Sequence, residues 1–205
     1  MRLPLFPLSI VLYPGEVMRL HIFEARYRSL TARCLEDDTP FGVLYMDEGK
    51  MAEVGCTARI DQVLQRYTDG RLDIKIKGGE RFEVAKVYDN RAYLTGDVHY
   101  LTDTIRVPDT DAVERVIAQH MRLLELAGRK IRPDVYHQTE LVSYLIARTA
   151  GLTLVQKQAV LEIPSEFARI AYLILHFNEF IPRIEEAAAL RKKIQSNGHL
   201  ESGDL

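Results

Sequence analysis

Two histidine–glutamate pairs are the residues of this sequence whose spacing could hold a metal ion. His137 and Glu140 stand three positions apart, and so do His176 and Glu179. On a helix, each pair would project to one side. Di-metal helix bundles use the reverse order, Glu-x-x-His, together with two further carboxylates on facing helices. We therefore expect packed or surface histidines here and predict no metal site.

The other candidates for chemistry are two cysteines, which also bear on the compartment. Cys34 falls on the apolar face of a predicted helix, and Cys56 alternates with Val54 and Ala58. Buried thiols of this kind behave as small apolar groups. No serine stands in a G-x-S-x-G turn and no glycine run has the spacing of a phosphate-binding loop. We predict no catalytic residue and no cofactor, and two unpaired cysteines favour a reducing compartment, the cytoplasm.

Two tyrosines beside turns are the candidates for binding. Tyr13 precedes Pro14 and Gly15, and Tyr67 precedes Asp69 and Gly70. A tyrosine combines an apolar ring with a polar hydroxyl, which suits it to contact with a peptide. Tyrosines near loops also commonly pack against the fold, so both could simply close the ends of a sheet. Tyr13 and Tyr67 are the peptide-binding residues that the sequence predicts.

Composition and charge exclude several classes of protein. The chain has 205 residues, of which 47% are hydrophobic, and a formal net charge of −2, which is typical of a globular protein. The longest apolar run, 170–175, is far shorter than the roughly 20 residues that span a membrane, so no membrane span is predicted. Without a basic excess we do not expect nucleic acid as a partner. Only one local basic patch is present, interleaved with acids: Arg59, Arg66, Arg71, Lys75 and Lys77.

The elements that must position these residues change in character near Pro108. Before it, Leu72, Ile74 and Ile76 alternate with polar residues, as in a half-buried strand, and residues 68–71 favour a hairpin turn. Further strands are predicted near 41–46, 54–60, 81–87 and 92–98, with turns at Gly78-Gly79 and Asp89-Asn90. One helix in this half is predicted to dock through one face, formed by Phe23, Tyr27, Leu30 and Cys34.

After Pro108 the apolar residues recur with helical spacing. Helices are predicted at about 113–124, ending at Gly128, and at 139–150. Thr153 and Gln156 match a capping box that opens a third helix. A fourth helix, opened by Pro164-Ser165, is apolar on nearly all sides from Phe167 to Ile181, so we expect it in the middle of a bundle. The expected domains are a β-rich barrel over 1–107, a helical bundle over 108–195 and a flexible tail over 196–205.

The order of short motifs along nearly the whole chain resembles the substrate-binding N-terminal domain of the ATP-dependent Lon protease. No single motif is specific, but their combination is. The segments that carry the resemblance are 3–8, 11–15, 20–27, 41–43, 55–60, 69–71, 79–82, 141–145 and 156–162. The resemblance implies an α+β fold, with an N-terminal distorted barrel of the PUA-like type, one packed helix and a C-terminal helical bundle.

The same resemblance implies a function. The sequence lacks the phosphate-binding loop and the Ser–Lys pair of Lon, so it looks like the free-standing bacterial relatives that consist of this domain alone. The expected role is non-enzymatic recognition of unfolded or damaged polypeptide, or of a partner protein, through an apolar groove and an edge strand. PUA-like barrels also occur in RNA-modifying proteins, so RNA binding is the alternative.

Overall fold

A computed structural model describes residues 1–89, 92–104, 108–130, 132–139 and 141–197, with side chains described through residue 190. Its contacts group the chain into two compact units, Met1–Ile105 with Gly151–Ser165, and Arg106–Ala150 with Glu166–Leu205. The first unit thus takes in a short segment of the helical half. The domain boundaries expected from the sequence, 1–107 and 108–195, stay a prediction. Most of the expected tail, 198–205, lies outside the described residues.

The first unit is built on a sheet that closes on itself. Its strands are β1 (Arg2–Leu8), β2 (Val17–Ile22), β3 (Phe41–Asp47), β4 (Lys50–Met51), β5 (Val54–Arg66), β6 (Leu72–Tyr88) and β7 (Thr95–Tyr100). β1 pairs with β7 antiparallel and with β3 parallel, so the path β1–β7–β6–β5–β3 returns to β1. β2 pairs with β6 and β4 pairs with β3. The predicted barrel is therefore confirmed.

The interior of the barrel is filled by side chains that alternate along the strands. Leu3 and Leu5 of β1 contact Leu44, Phe82 and Val98 from three other strands, and all five are buried. Burying such a side chain contributes about 1.5–3 kcal/mol relative to leaving it in water. This apolar cluster holds the ring of strands closed.

β6 is one strand of 17 residues, and the predicted turn at Gly78-Gly79 is wrong. These glycines serve close packing. A Cβ at Gly78 would collide with the carbonyl oxygen of Tyr13, and one at Gly79 would lie 2.6 Å from Thr57 Oγ1. The predicted turn at Asp89-Asn90 includes Asn90, which lies outside the described residues.

The helix of the β-rich half, α1 (Ala25–Glu36), docks largely as predicted. The Tyr27 ring stacks on Phe6 with 3.9 Å between ring centroids, and Leu30 and Cys34 are buried. Phe23 is the exception, because it is 61% exposed. The helix begins only at Ala25, so Phe23 follows the alternation of β2, in which the preceding Ile22 points inward. The prediction that Phe23 docks the helix is wrong.

A short helix from the second half of the sequence belongs to the first unit by its contacts. α4 (Leu154–Glu162) opens with the predicted capping box, in which Gln156 N donates to Thr153 Oγ1 and Thr153 N to Gln156 Oε1. The Gln158 amide donates to the Val54 carbonyl at the start of β5, 104 positions away in the sequence. This side-chain bond joins α4 to the barrel.

The second unit consists of helices. α2 (Thr110–Leu126) and α5 (Glu166–Asn197) are the long ones, and α3 (Val142–Ala147) is shorter than the predicted 139–150. A 3-10 helix at Pro133–Gln138 was not predicted. Gly128, with φ 64°, ends the α2 segment as expected. None of the helices within the described ranges is long and apolar enough to cross a membrane.

α5 buries one face rather than all sides. Ile170, Leu173 and Phe177 are fully buried, but Leu175 is 66% exposed. The expectation of a central, all-round buried helix is therefore wrong. A single apolar side chain such as Leu175 is tolerated on a surface, so an apolar sequence does not by itself require burial on every side.

Candidate functional site

The hairpin turn between β5 and β6 positions Tyr67, one of the two predicted binding residues. Tyr67 N donates to the Arg71 carbonyl and Gly70 N to the Tyr67 carbonyl, both at 3.0 Å. Gly70 takes a φ of 85°, a conformation that glycine adopts without strain. The turn thus forms as its sequence predicts, and it leaves Tyr67 half-buried at the surface.

Tyr67 is part of a surface cluster of three rings, which we call the aromatic cluster and define as His21, Phe23 and Tyr67. The His21 ring lies 6.0 Å from that of Phe23 and 5.8 Å from that of Tyr67, measured between centroids. His21 and Phe23 are both exposed. The exposed Phe23 ring beside His21 offers a binding partner an apolar contact.

Polar bonds fix the orientation of these rings. His21 Nδ1 lies 2.5 Å from Asp73 Oδ1, and the Tyr67 hydroxyl donates to Asp73 Oδ2 at 2.8 Å. The hydrogen bond from His21, followed by that from Tyr67, lowers the pKa of Asp73. The bond to the Asp73 carboxylate in turn raises the pKa of the Tyr67 hydroxyl. One ionised carboxylate therefore holds two rings of the aromatic cluster in place.

Beside the aromatic cluster lies an open groove of about 520 Å³, which we call the α1 groove. Its floor carries small residues of α1, and Tyr67 belongs to both its wall and the aromatic cluster. A groove with this floor admits a peptide backbone and small side chains. The residues that line it are Ala25, Arg28, Ser29, Ala32, Arg66, Tyr67, Gly70 and Leu72.

Arg28 ties the α1 groove to the hairpin turn. Its Nη1 donates to the Asp69 carbonyl at 2.6 Å, and Asp69 Oδ2 accepts from Arg71 Nε at 2.7 Å. The backbone amide of Arg71 also donates to Asp69, and this bond is the largest cause that lowers the pKa of Asp69. The turn is therefore anchored to α1, so Tyr67 and the groove form one surface.

The structure places Tyr13 elsewhere. Its side chain is 1% exposed, and its hydroxyl donates to the Lys157 carbonyl in α4 at 3.0 Å. Tyr13 therefore packs inside the fold, which is the alternative that its sequence context left open, and its hydroxyl has a backbone partner. The structure does not bring Tyr13 into the contacts of Tyr67. Peptide binding by either residue stays a prediction.

The residues considered for chemistry lie apart from one another. His176 Nε2 donates to the Ala150 carbonyl at 2.9 Å and its ring stacks on Phe180, whereas His137 is exposed in the 3-10 helix. Glu140 lies outside the described residues. Within the described ranges, no three His, Cys, Asp or Glu side chains are grouped to hold a metal ion.

Both cysteines are buried, as the sequence predicts. Removal from water raises the pKa of the Cys34 thiol and, more strongly, that of Cys56. A thiol that stays protonated is a poor nucleophile. Burial therefore makes both side chains unreactive parts of the core.

The basic patch is neutralised only in part by nearby acids. Three of its five cations form ion pairs, namely Arg59 with Asp38, Arg71 with Asp69 and Lys75 with Asp61. Arg66 and Lys77 form none with any residue that the structure describes. Paired charges contribute little to phosphate binding, since they release few counterions.

Sequence reasoning missed two of the three rings of the aromatic cluster. It placed Phe23 on the buried face of α1 and gave His21 no role. The signal was present in β2, where Val17, Arg19 and His21 alternate with Met18, Leu20 and Ile22. Continuing that alternation by one residue turns Phe23 outward. The helical spacing between Phe23 and Tyr27 favours the wrong assignment of Phe23 to the buried face of α1.

Comparison with known proteins gives one consistent family. A family model described as the ATP-dependent protease La (LON) substrate-binding domain matches residues 2–179. Lon protease 2 of Syntrophobacter fumaroxidans is 23% identical, across 95% of this chain and 26% of that protein. Lon protease of Escherichia coli K12 is 26% identical, across 94% of this chain and 26% of that protein. The chain spans about a quarter of the length of these relatives.

Solved structures agree on the fold. A Lon N-terminal domain protein from Xanthomonas campestris superposes with a TM-score of 0.66 at 23% identity, covering 85% of this chain and 98% of that one. The N-terminal domain of a Mycobacterium avium complex Lon protease gives a TM-score of 0.60 at 20% identity, covering 88% and 100%. The match of the family model over most of the sequence shows that this chain belongs to the Lon substrate-binding domain family.

Proposed function

We propose that this chain binds unfolded or damaged polypeptide through the aromatic cluster and the α1 groove, and that it does so without cleaving it. The family to which it belongs is described by substrate binding, and the relatives that share it are proteases whose substrates are proteins. The two buried thiols are consistent with work in a reducing compartment, the cytoplasm.

The observation that carries the proposal is the exposure of Phe23 beside His21, whose ring also contacts Tyr67. An apolar ring left in water is unfavourable, and burying it against a client side chain recovers about 1.5–3 kcal/mol. The adjoining α1 groove offers room for the client backbone. Apolar side chains exposed together with free backbone are what distinguish unfolded chains from folded ones, so this surface suits an unfolded polypeptide.

The expected affinity is on the order of micromolar, since ordering a flexible peptide opposes the contacts. Fluorescence anisotropy of a labelled, reduced and carboxymethylated protein, titrated with the purified chain, tests the proposal. We expect saturable binding that Phe23→Ser weakens by about tenfold, as loss of one buried ring implies. Val155→Ser is the matched control, because Val155 is 65% exposed on α4.

Two results would overturn the proposal. The first is the absence of any saturable change with the wild-type chain at several hundred micromolar, about a hundred times the expected dissociation constant. The second is an equal loss for Val155→Ser and Phe23→Ser, which would remove the assignment to the aromatic cluster. Circular dichroism of each variant establishes that both remain folded.

A further inference from the structure

β2 is an edge of the sheet with an unused row of backbone groups. Its six residues, Val17–Ile22, pair with β6 on one side, and no other strand within the described residues pairs with it. Edge strands of this kind are commonly shielded or used for pairing. Val17 is 50% exposed and Arg19 and His21 are also exposed, so the row is open to solvent.

The hydrogen bonds at the start of β2 determine which residues face outward. Gly78 N donates to the Glu16 carbonyl at 2.8 Å, so the carbonyl group of residue 16 points toward β6. Because the pattern alternates along an antiparallel pair, Met18, Leu20 and Ile22 also direct their N–H and C=O groups to β6. The residues between them, at positions 17, 19 and 21, therefore direct theirs away from the sheet.

The side chains of Val17, Arg19 and His21 determine which peptide could pair with β2. Arg19 lies opposite Lys75 in the register, and Lys75 is bonded to Asp61 at 2.7 Å. Arg19 forms no ion pair with any described residue. Lys77, which lies opposite Val17, forms none either. On the exposed side of β2, Arg19 therefore carries a positive charge without an ion-pair partner among the described residues. The apolar Val17 lies at one end of the strand, and Phe23 follows its other end.

We propose that β2 accepts an extended client segment as an additional antiparallel strand, with an acidic side chain opposite Arg19 and apolar side chains near Val17 and Phe23. This inference rests on the proposed function and specifies its mode of binding. Main-chain bonds supply affinity that is independent of sequence, and the alternate side chains supply selection. The preferred client segment of seven residues has apolar side chains at its first and last positions and an acidic side chain at its fifth.

A seven-residue peptide, Leu-Ser-Thr-Ser-Glu-Ser-Val, provides the test. Its third, fifth and seventh residues would lie opposite His21, Arg19 and Val17, with its N-terminal leucine toward Phe23. N-methylation of the glutamate, the fifth residue, removes a donor directed at β2, so we expect about tenfold weaker binding. N-methylation of the preceding serine is the matched control, because that amide would point away from β2, and we expect no change. These modifications leave the protein untouched.

A charge exchange tests the acidic position. Arg19→Glu is expected to weaken binding of the glutamate-containing peptide by about threefold to fivefold, as for an exposed ion pair, and to favour a peptide with lysine in place of that glutamate. Arg129→Glu, at an exposed position outside this surface, is the control and should change neither affinity. Equal effects of methylation at the fourth and fifth residues, or no exchange of preference with Arg19→Glu, would overturn the proposal.

The outcomes separate this inference from the proposed function. If unfolded protein still binds and Phe23→Ser still weakens it, while the position of methylation has no effect, strand addition is wrong and polypeptide binding stands. If neither the peptide nor unfolded protein binds, both fail. If a single-stranded RNA of equal length binds instead, with an affinity that Arg19→Glu abolishes, the surface belongs to nucleic acid and the inference is overturned.

Discussion

Arg81, on β6, donates through Nη1 to the carbonyl oxygen of Leu161 at 2.9 Å, and these residues stand 80 positions apart in the sequence. Its Nη2 donates to Asp103 at 2.6 Å. The Arg81 side chain is almost completely buried. One guanidinium thereby satisfies a carboxylate and the final turn of α4, and it links the barrel to the segment Gly151–Ser165.

Replacement of this arginine is expected to be costly. Arg81→Met removes the donor that the Asp103 carboxylate and the Leu161 carbonyl share, so we expect the free energy of unfolding to fall by about 3 kcal/mol. Arg59→Met is the matched control, because its ion pair with Asp38 is solvent-exposed and contributes at most about 1 kcal/mol. Urea unfolding followed by circular dichroism measures both. Equal losses in the two variants would contradict this role of Arg81.

The two neighbouring glycines of β6 are expected to respond differently to a methyl group. Gly78→Ala places the Cβ against the Tyr13 carbonyl, where the backbone would have to move, so we expect a loss of about 2–3 kcal/mol. In Gly79→Ala the new Cβ meets the Thr57 hydroxyl, which can rotate away. This rotation breaks the hydrogen bond from Glu80 N, so we expect the free energy of unfolding to fall by about 1 kcal/mol. Thermal denaturation of both variants measures the order. A smaller loss for Gly78→Ala would contradict the packing described.

The burial of His120 is expected to make the stability of the second unit depend on pH. It is buried, with Nδ1 2.8 Å from the Tyr136 hydroxyl and Nε2 2.9 Å from Thr149 Oγ1, and burial lowers the pKa of the imidazole from 6.5 to about 4. Below pH 6.5 the unfolded chain binds a proton that the folded chain excludes. The contribution of this group to the free energy of unfolding is therefore constant above about pH 6.5 and falls by about 3 kcal/mol between about pH 6.5 and 4.

Unfolding by urea at a series of pH values isolates the effect of His120. His120→Gln is expected to be less stable than the wild-type chain at neutral pH and to show a shallower loss as the solution is acidified. His137→Gln, at an exposed histidine, should keep the wild-type slope. If the wild-type chain and His120→Gln lose stability in parallel, the burial of a neutral imidazole is not the cause.

Local patterns were enough to predict most elements of the fold. The alternation at Leu72, Ile74 and Ile76, the Thr153–Gln156 capping box and the glycine of the hairpin turn each depend on neighbours within a few residues, and all three are confirmed. The β-rich barrel predicted over 1–107 is also confirmed, because its sheet closes on itself. Local patterns do not predict the pairing of β1 with β3 that closes it, because these strands are distant in sequence.

What could not be predicted depends on contacts distant in sequence. Gly78 has the sequence context of a turn, and only its packing against Tyr13 shows that it lies within a strand. Tyr13 stands beside a turn in the sequence, and its hydroxyl bonds to the distant Lys157 carbonyl of α4. Phe23 satisfies both a helical and a strand pattern, and only the start of α1 at Ala25 decides between them. The aromatic cluster was therefore recognised only in part, through Tyr67.

The central claim, that unfolded polypeptide binds at the aromatic cluster, is tested most directly by nuclear magnetic resonance. Amide resonances of the ¹⁵N-labelled chain would be followed while an unlabelled unfolded protein is added. We predict that the shifted resonances cluster in β2, at Phe23 and in the turn at 67–71, and that Phe23→Ser reduces them. Saturable shifts confined to α2, α3 and α5, or spectra that stay unchanged, would contradict the claim.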